Sequence, residues 1–154
     1  MSFLTLIEEI WDGQVLTAAE YSHTNGNIMD MELAGNIPAL VDNQLGYIWC
    51  NILVGVAAAG MAEGAHFDIL TSDSATFGSG RRILAAIGTD DDPLLAADLA
   101  LGNNFSVQVP TRVLHRYVGI GWNPHTNSAS GGFAVDAWFG PHAIQNVKTQ
   151  KFAS

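Results

Sequence analysis

The strongest constraint on this chain is a period of two in its apolar residues, carried over seven segments from residue 27 onward. Met29, Met31 and Leu33 alternate with Asp30 and Glu32. Ile48, Cys50, Ile52, Val54 and Val56 share one face of the next segment. Phe67 and Ile69 alternate with His66 and Asp68, and Ile83, Ala85 and Ile87 continue the pattern. Phe105, Val107 and Val109 alternate with Ser106 and Gln108 until Pro110 ends the run. Val118, Ile120 and Trp122 share a face, as do Phe133, Val135, Ala137 and Phe139. Successive side chains of a strand point to opposite faces, so alternation with one apolar face marks a half-buried antiparallel strand.

The connectors carry turn chemistry. Ser72-Asp73-Ser74 and Gly78-Ser79-Gly80 bracket one loop. Asn123-Pro124-His125-Thr126-Asn127 with Gly131-Gly132 reads as a long hairpin tip. Asp90 to Asp92 followed by Pro93 predicts one short helix through Leu101. The opening residues follow a different period. Phe3, Leu6, Ile7 and Ile10 stand at i, i+3, i+4 and i+7, Ser2 can cap, and Glu8 and Glu9 fall opposite. This predicts a short amphipathic helix ending near Asp12-Gly13. Alone it is marginal, so it needs its own domain or a neighbouring chain to lie on. Residues 145–154 lack an apolar period and read as a tail. The expected fold is therefore all-β: a jelly-roll-like antiparallel β-sandwich over residues 13–144. An N-terminal arm (1–12) carrying the short amphipathic helix precedes it, and an extended C-terminal tail (145–154) follows.

The 154 residues suit one domain. Only 14% are charged, against about 25% in ordinary soluble domains. Such a surface is short of charge unless part of it is covered, which favours a homo-oligomer or a docked subunit. The net charge of −9 and the six Lys and Arg residues argue against nucleic acid or an anionic membrane as partner. Cys50, the only cysteine, lies in an apolar run and reads as a small hydrophobe. The apolar run Tyr47 to Met61 is too short to span a bilayer, and the opening residues lack the basic start of a secretory signal. Folding in a cytosol is the expectation.

Chemistry is harder to find. None of His23, His66, His115, His125 and His142 forms an H-x-H or H-x-x-x-H pair. His66 and Asp68 share a strand face, but two groups do not fill a zinc site, and the pair reads as an exposed strand-edge feature. His115 and Arg116 lie on opposite faces with no evident partner. Asp90 to Asp92 lacks the alternating ligands, glycine and distal Glu of an EF-hand and reads as a capping cluster. Gly78-Ser79-Gly80-Arg81-Arg82 lacks the Lys-Ser/Thr pair of a P-loop and reads as a turn, its arginines available to acids of a neighbouring chain. No Gly-x-Ser-x-Gly elbow is present. The expectation is a non-enzyme with no cofactor and no metal.

Three stretches resemble the capsid cement, or decoration, proteins of short-tailed bacteriophages, of the small jelly-roll type. They are Gln14-Val-Leu-Thr-Ala-Ala-Glu-Tyr-Ser-His-Thr-Asn through Ile28-Met-Asp-Met, and Phe67-Asp-Ile-Leu-Thr-Ser-Asp-Ser-Ala-Thr-Phe. The third and most specific is Arg116-Tyr-Val-Gly-Ile-Gly-Trp with Gly131-Gly132 and Phe133-Ala-Val-Asp-Ala-Trp-Phe. Phe3 to Trp11 departs from the family's shorter opening. The resemblance implies a protein on the outer surface of the virion, assembled in the bacterial host cytoplasm. It would bridge neighbouring major capsid protein subunits and resist DNA pressure, with no catalytic residues. Its partners would be the major capsid protein and further copies of itself, as a dimer or trimer. The candidate contact residues are Phe3, Leu6, Ile7, Ile10 and Trp11 of the arm, with Ile144, Val147 and Phe152 toward the tail. The first rival is a carbohydrate-binding β-sandwich of a phage tail or receptor-binding component, stacking sugars on Trp49, Trp122 or Trp138. Trp138 lies on the more polar strand face. The second rival is a small cupin-type enzyme.

Overall fold

A computed structural model describes residues 8–31, 46–61, 63–110, 115–125 and 129–144. Among these residues the seven alternating segments form strands, and two further strands precede them: β1 (Glu8–Val15), β2 (Glu20–Tyr21), β3 (Met29–Asp30), β4 (Tyr47–Val56), β5 (Ala65–Ser72), β6 (Arg82–Ile87), β7 (Asn104–Pro110), β8 (Tyr117–Pro124) and β9 (Ala134–Gly140). Two antiparallel sheets result. One has the order β1-β9-β4-β7 and the other β2-β8-β5-β6. The short β3 also pairs with β8, so β2 and β3 share one edge of that strand. The chain changes sheet at every connection except β2–β3 and β5–β6.

The apolar faces of both sheets meet in one core, which makes the fold a β-sandwich. Ile48, Cys50, Ile52 and Val54 of β4 and Val135, Ala137 and Phe139 of β9 come from the first sheet. Phe67 and Ile69 of β5 and Val118, Ile120 and Trp122 of β8 come from the second. Trp122 sits between Phe67 and Phe133, with ring centroids 4.7 and 5.1 Å away. Each such buried side chain contributes about 1.5–3 kcal/mol by leaving water. Burial pushes the Cys50 thiol far above its usual range, in keeping with a packed, neutral cysteine.

Where the alternation fails, β-bulges are responsible. A bulge places two residues opposite one and flips the side chains beyond it to the other face. The β4–β9 register shifts between Val54 and Val56, so Val56 turns outward and is 44% exposed. The β5–β6 register shifts between Ile69 and Leu70, so Ile83 leaves the predicted inner face and is 63% exposed. Leu84 packs against the core in its stead.

The same device corrects the reading of the N-terminal arm. Residues 8–15 form strand β1 against β9, not the end of a helix. The register shifts between Glu9 and Trp11 and again between Trp11 and Gln14. Gly13, in the left-handed region at φ 58°, sits in the second shift. The first shift lets the adjacent Ile10 and Trp11 both enter the core, where each is buried. Glu8–Val15 is therefore part of the sandwich. Two further expectations fail. Residues 90–101 form turns and a single bridge from Leu94 to Ala65 instead of a helix. The 123–132 segment is not a hairpin tip, because β8 and β9 belong to different sheets and the chain crosses between them.

Val118-Gly119-Ile120-Gly121-Trp122 explains how the outer face of the second sheet is covered. Its apolar residues point inward and its glycines outward. A Cβ on Gly121 would lie 2.9 Å from the Tyr21 ring, and one on Gly119 would lie 2.6 Å from Ser22 Oγ. The glycines thus let the 21–28 segment and Phe77 lie close on the sheet. Phe77 stacks on His23 at 5.0 Å, and Arg81 lies over Tyr21 at 5.2 Å.

Candidate functional site

Two places carry groups that the fold's own stability does not explain. The first is the outward face of the β1-β9-β4-β7 sheet. Tyr47, Trp49, Asn51 and Leu53 point outward from β4, opposite Pro110, Gln108, Ser106 and Asn104 of β7. Trp138 lies beside Asn51 on the β9 side. Tyr47, Trp49 and Trp138 are half-buried, and the Tyr47 and Trp49 rings meet edge to face at 5.8 Å.

The chain after β9 returns over this face. Asn51 is fully buried beneath it. Its Nδ2 donates to the His142 carbonyl at 3.0 Å, and its Oδ1 accepts from the Ile144 N–H at 3.1 Å and from Ser106 Oγ at 2.6 Å. The Ile144 N–H also reaches Ser106 Oγ at 3.1 Å. A buried amide satisfied on three sides fixes the direction in which residues 141–144 run.

Charge is sparse here. Neither β4 nor β7 contains a charged residue. The sheet edges elsewhere do: Glu8, Glu9 and Asp12 on β1, Glu20 on β2, Asp30 on β3 and Arg82 on β6. Edge strands usually carry charge because their open backbone groups recruit other chains. Among the described residues, β7 pairs only with β4, so it is an edge without that protection.

The predicted contact residues divide accordingly. Ile10 and Trp11 are buried in the core of this domain. Ile144 is half-buried beside Asn51 and Ser106. Phe3, Leu6, Ile7, Val147 and Phe152 lie outside the described residues. Of the three tryptophans considered for sugar stacking, Trp122 is in the core, and Trp49 and Trp138 reach the surface in part.

The second place is on the outer face of the other sheet, at one end. His66 is the second residue of β5, a central strand, and is buried rather than at an exposed edge. His125 follows β8, beside His66's cross-strand partner Asn123. Asp90 comes from the β6–β7 connection, which is held to β5 by the two Leu94–Ala65 backbone hydrogen bonds. His66 Nδ1 and His125 Nε2 lie 2.8 Å apart. Asp90 Oδ1 is 3.6 Å from the first and 3.3 Å from the second. His66 Nε2 is 3.3 Å from Asp68 Oδ2. Sequence spacing could not have found this trio, since its members come from three separate elements. The only local signal was the His66–Asp68 alternation.

His115 and Arg116 prove to be partnered. His115 Nδ1 is 2.7 Å from Asp73, and Arg116 forms a two-pronged pair with Asp30, both contacts at 3.1 Å. These are surface pairs worth at most about 1 kcal/mol.

Comparison with protein-family models and with curated proteins finds no match to this chain.

Proposed function

We propose that this chain is a jelly-roll capsid cement protein that docks on the outside of a phage head shell and bridges neighbouring major capsid protein subunits. The strand order supports the finer fold. Two facing sheets of order β1-β9-β4-β7 and β2-β8-β5-β6, with most connections crossing between them, agree with a double-Greek-key jelly roll. The observation that carries the functional reading is the uncharged β7 edge beside the uncharged, aromatic-bearing outer face of β4. A surface of this kind is covered in an assembly. Ile144, hydrogen-bonded to Asn51 and Ser106, lies on this same face. Many symmetric copies turn a modest contact into tight retention.

The test is co-sedimentation with head shells assembled from the major capsid protein of the same genome. The wild type should bind saturably. Gln108→Lys, which puts a charge on exposed β7, should weaken binding by about tenfold or more while costing under about 0.5 kcal/mol of stability. Wild-type failure to bind expanded shells would reject the reading. A second reading, sugar binding, has one observation in its favour: Tyr47, Trp49 and Trp138 are half-buried on one sheet face. Glycan binding lost in Trp138→Ala would move the assignment there.

A further inference from the structure

We propose that His66, His125 and Asp90 form a binding site for one divalent transition-metal ion, with Zn2+ the best fit to the donor set. Two imidazoles and one carboxylate make a borderline donor set that suits zinc and its first-row neighbours. The spacing matches. An ion bonded to three such atoms at about 2.1 Å holds them roughly 3.0 Å apart in cis-octahedral geometry and roughly 3.4 Å apart in tetrahedral geometry. The three separations here are 2.8, 3.3 and 3.6 Å.

Proton accounting points the same way. Asp68 lies 3.3 Å from His66 Nε2, so it accepts that N–H and leaves the lone pair on Nδ1. Asn123 Nδ2 lies 3.3 Å from Nε2, and only with the amide oxygen and nitrogen exchanged does Asn123 add a second acceptor for that N–H. His66 Nδ1 therefore faces His125 Nε2 and Asp90 Oδ1 as an acceptor. His66 Nδ1 and Asp90 Oδ1 would then have to share the single proton that His125 Nε2 can carry. A cation satisfies all three at once. A carboxylate holding the far nitrogen of a ligating histidine is also the usual support around protein-bound metals.

The burial pattern suits a three-ligand site with an open side. The His66 and His125 side chains are 9% and 15% exposed, and that of Asp90 is 86% exposed. Strand β5 thus presets the His66 imidazole, His125 stands just beyond the end of β8, and the loop brings the carboxylate. Bound metal would pin the β6–β7 connection to the ends of β5 and β8 and leave its remaining positions to solvent.

The test uses the untagged full chain titrated with Co2+, read by visible absorption, and with Zn2+, read by calorimetry. One equivalent should bind, with imidazole-type absorption bands, and affinity should fall on acidification because the ligands must be unprotonated. His125→Gln should abolish binding. Asp90→Asn, at an exposed side chain that the core does not need, should weaken it by roughly tenfold or more. Asp68→Asn should weaken it by about 10–100-fold through His66 alone. Circular dichroism of each variant separates lost binding from lost folding. Absence of saturable Co2+ binding up to millimolar concentration would overturn the proposal. So would folded His125→Gln and Asp90→Asn variants that bind as tightly as the wild type.

Discussion

Replacing Asn51 by alanine tests how the chain's C-terminal segment is held to the sheet. The Asn51 side chain is fully buried and joins β4, β7 and residues 142–144 through three hydrogen bonds. Truncation affects its partners unequally. The Ile144 N–H keeps Ser106 Oγ as acceptor. The His142 carbonyl loses its Nδ2 donor and Ser106 loses its acceptor. Two lost hydrogen bonds at about 1 kcal/mol each give roughly 2 kcal/mol, near 3 if the freed groups stay out of water. For a domain of this size each kcal/mol shifts Tm by about 2–4 °C, so a fall of about 4–8 °C follows. Asn51→Asp should cost more, because it keeps the acceptor, loses the donor and buries a charge. Thermal and urea unfolding measure the cost, and hydrogen exchange at the Ile144 amide reports the tether directly. That amide should exchange faster in Asn51→Ala while the β8 amides stay protected. A variant with unchanged Tm and unchanged Ile144 exchange would refute the tether.

Three other outcomes are expected. Trp11→Ala should destabilise the domain by about 3–5 kcal/mol as a core cavity, read by denaturant titration. Gly119→Ala should cost about 1–3 kcal/mol, because its Cβ would meet Ser22 Oγ at 2.6 Å and Phe77 at 3.2 Å. His23, whose pKa burial and then Arg81 lower from the ordinary 6.5, is harder to protonate in the folded state than in the unfolded one. Its contribution is therefore full above pH 6.5 and lost as pH falls through the lowered folded value, so His23→Gln should flatten the acid side of the stability profile.

Much of the fold was legible because alternation is a direct record of one buried sheet face. Phe67 and Ile69, Val118 to Trp122 and Phe133 to Phe139 all pack as their period requires. Failures cluster where a bulge breaks that record. Adjacent Ile10 and Trp11 fit no strand period, and Ile10 also continues the helical spacing of Phe3, Leu6 and Ile7. Val56 and Ile83 kept the period in sequence but lost it in space. Sheet membership was not legible either, since turn residues around 123–132 look alike whether the chain doubles back or crosses over. The histidine trio was invisible for the same kind of reason. It depends on β5, β8 and the 88–103 connection meeting at one end of a sheet, and only His66 and Asp68 are neighbours in sequence.

The most direct test of the assembly role is cryo-electron microscopy of expanded head shells incubated with the purified protein. The cement reading predicts density at regular lattice positions on the outer surface, with β7 and the outer face of β4 turned toward a neighbouring subunit. Bare shells at saturating protein, or bound copies that leave β7 and that face fully open to solvent, would contradict it.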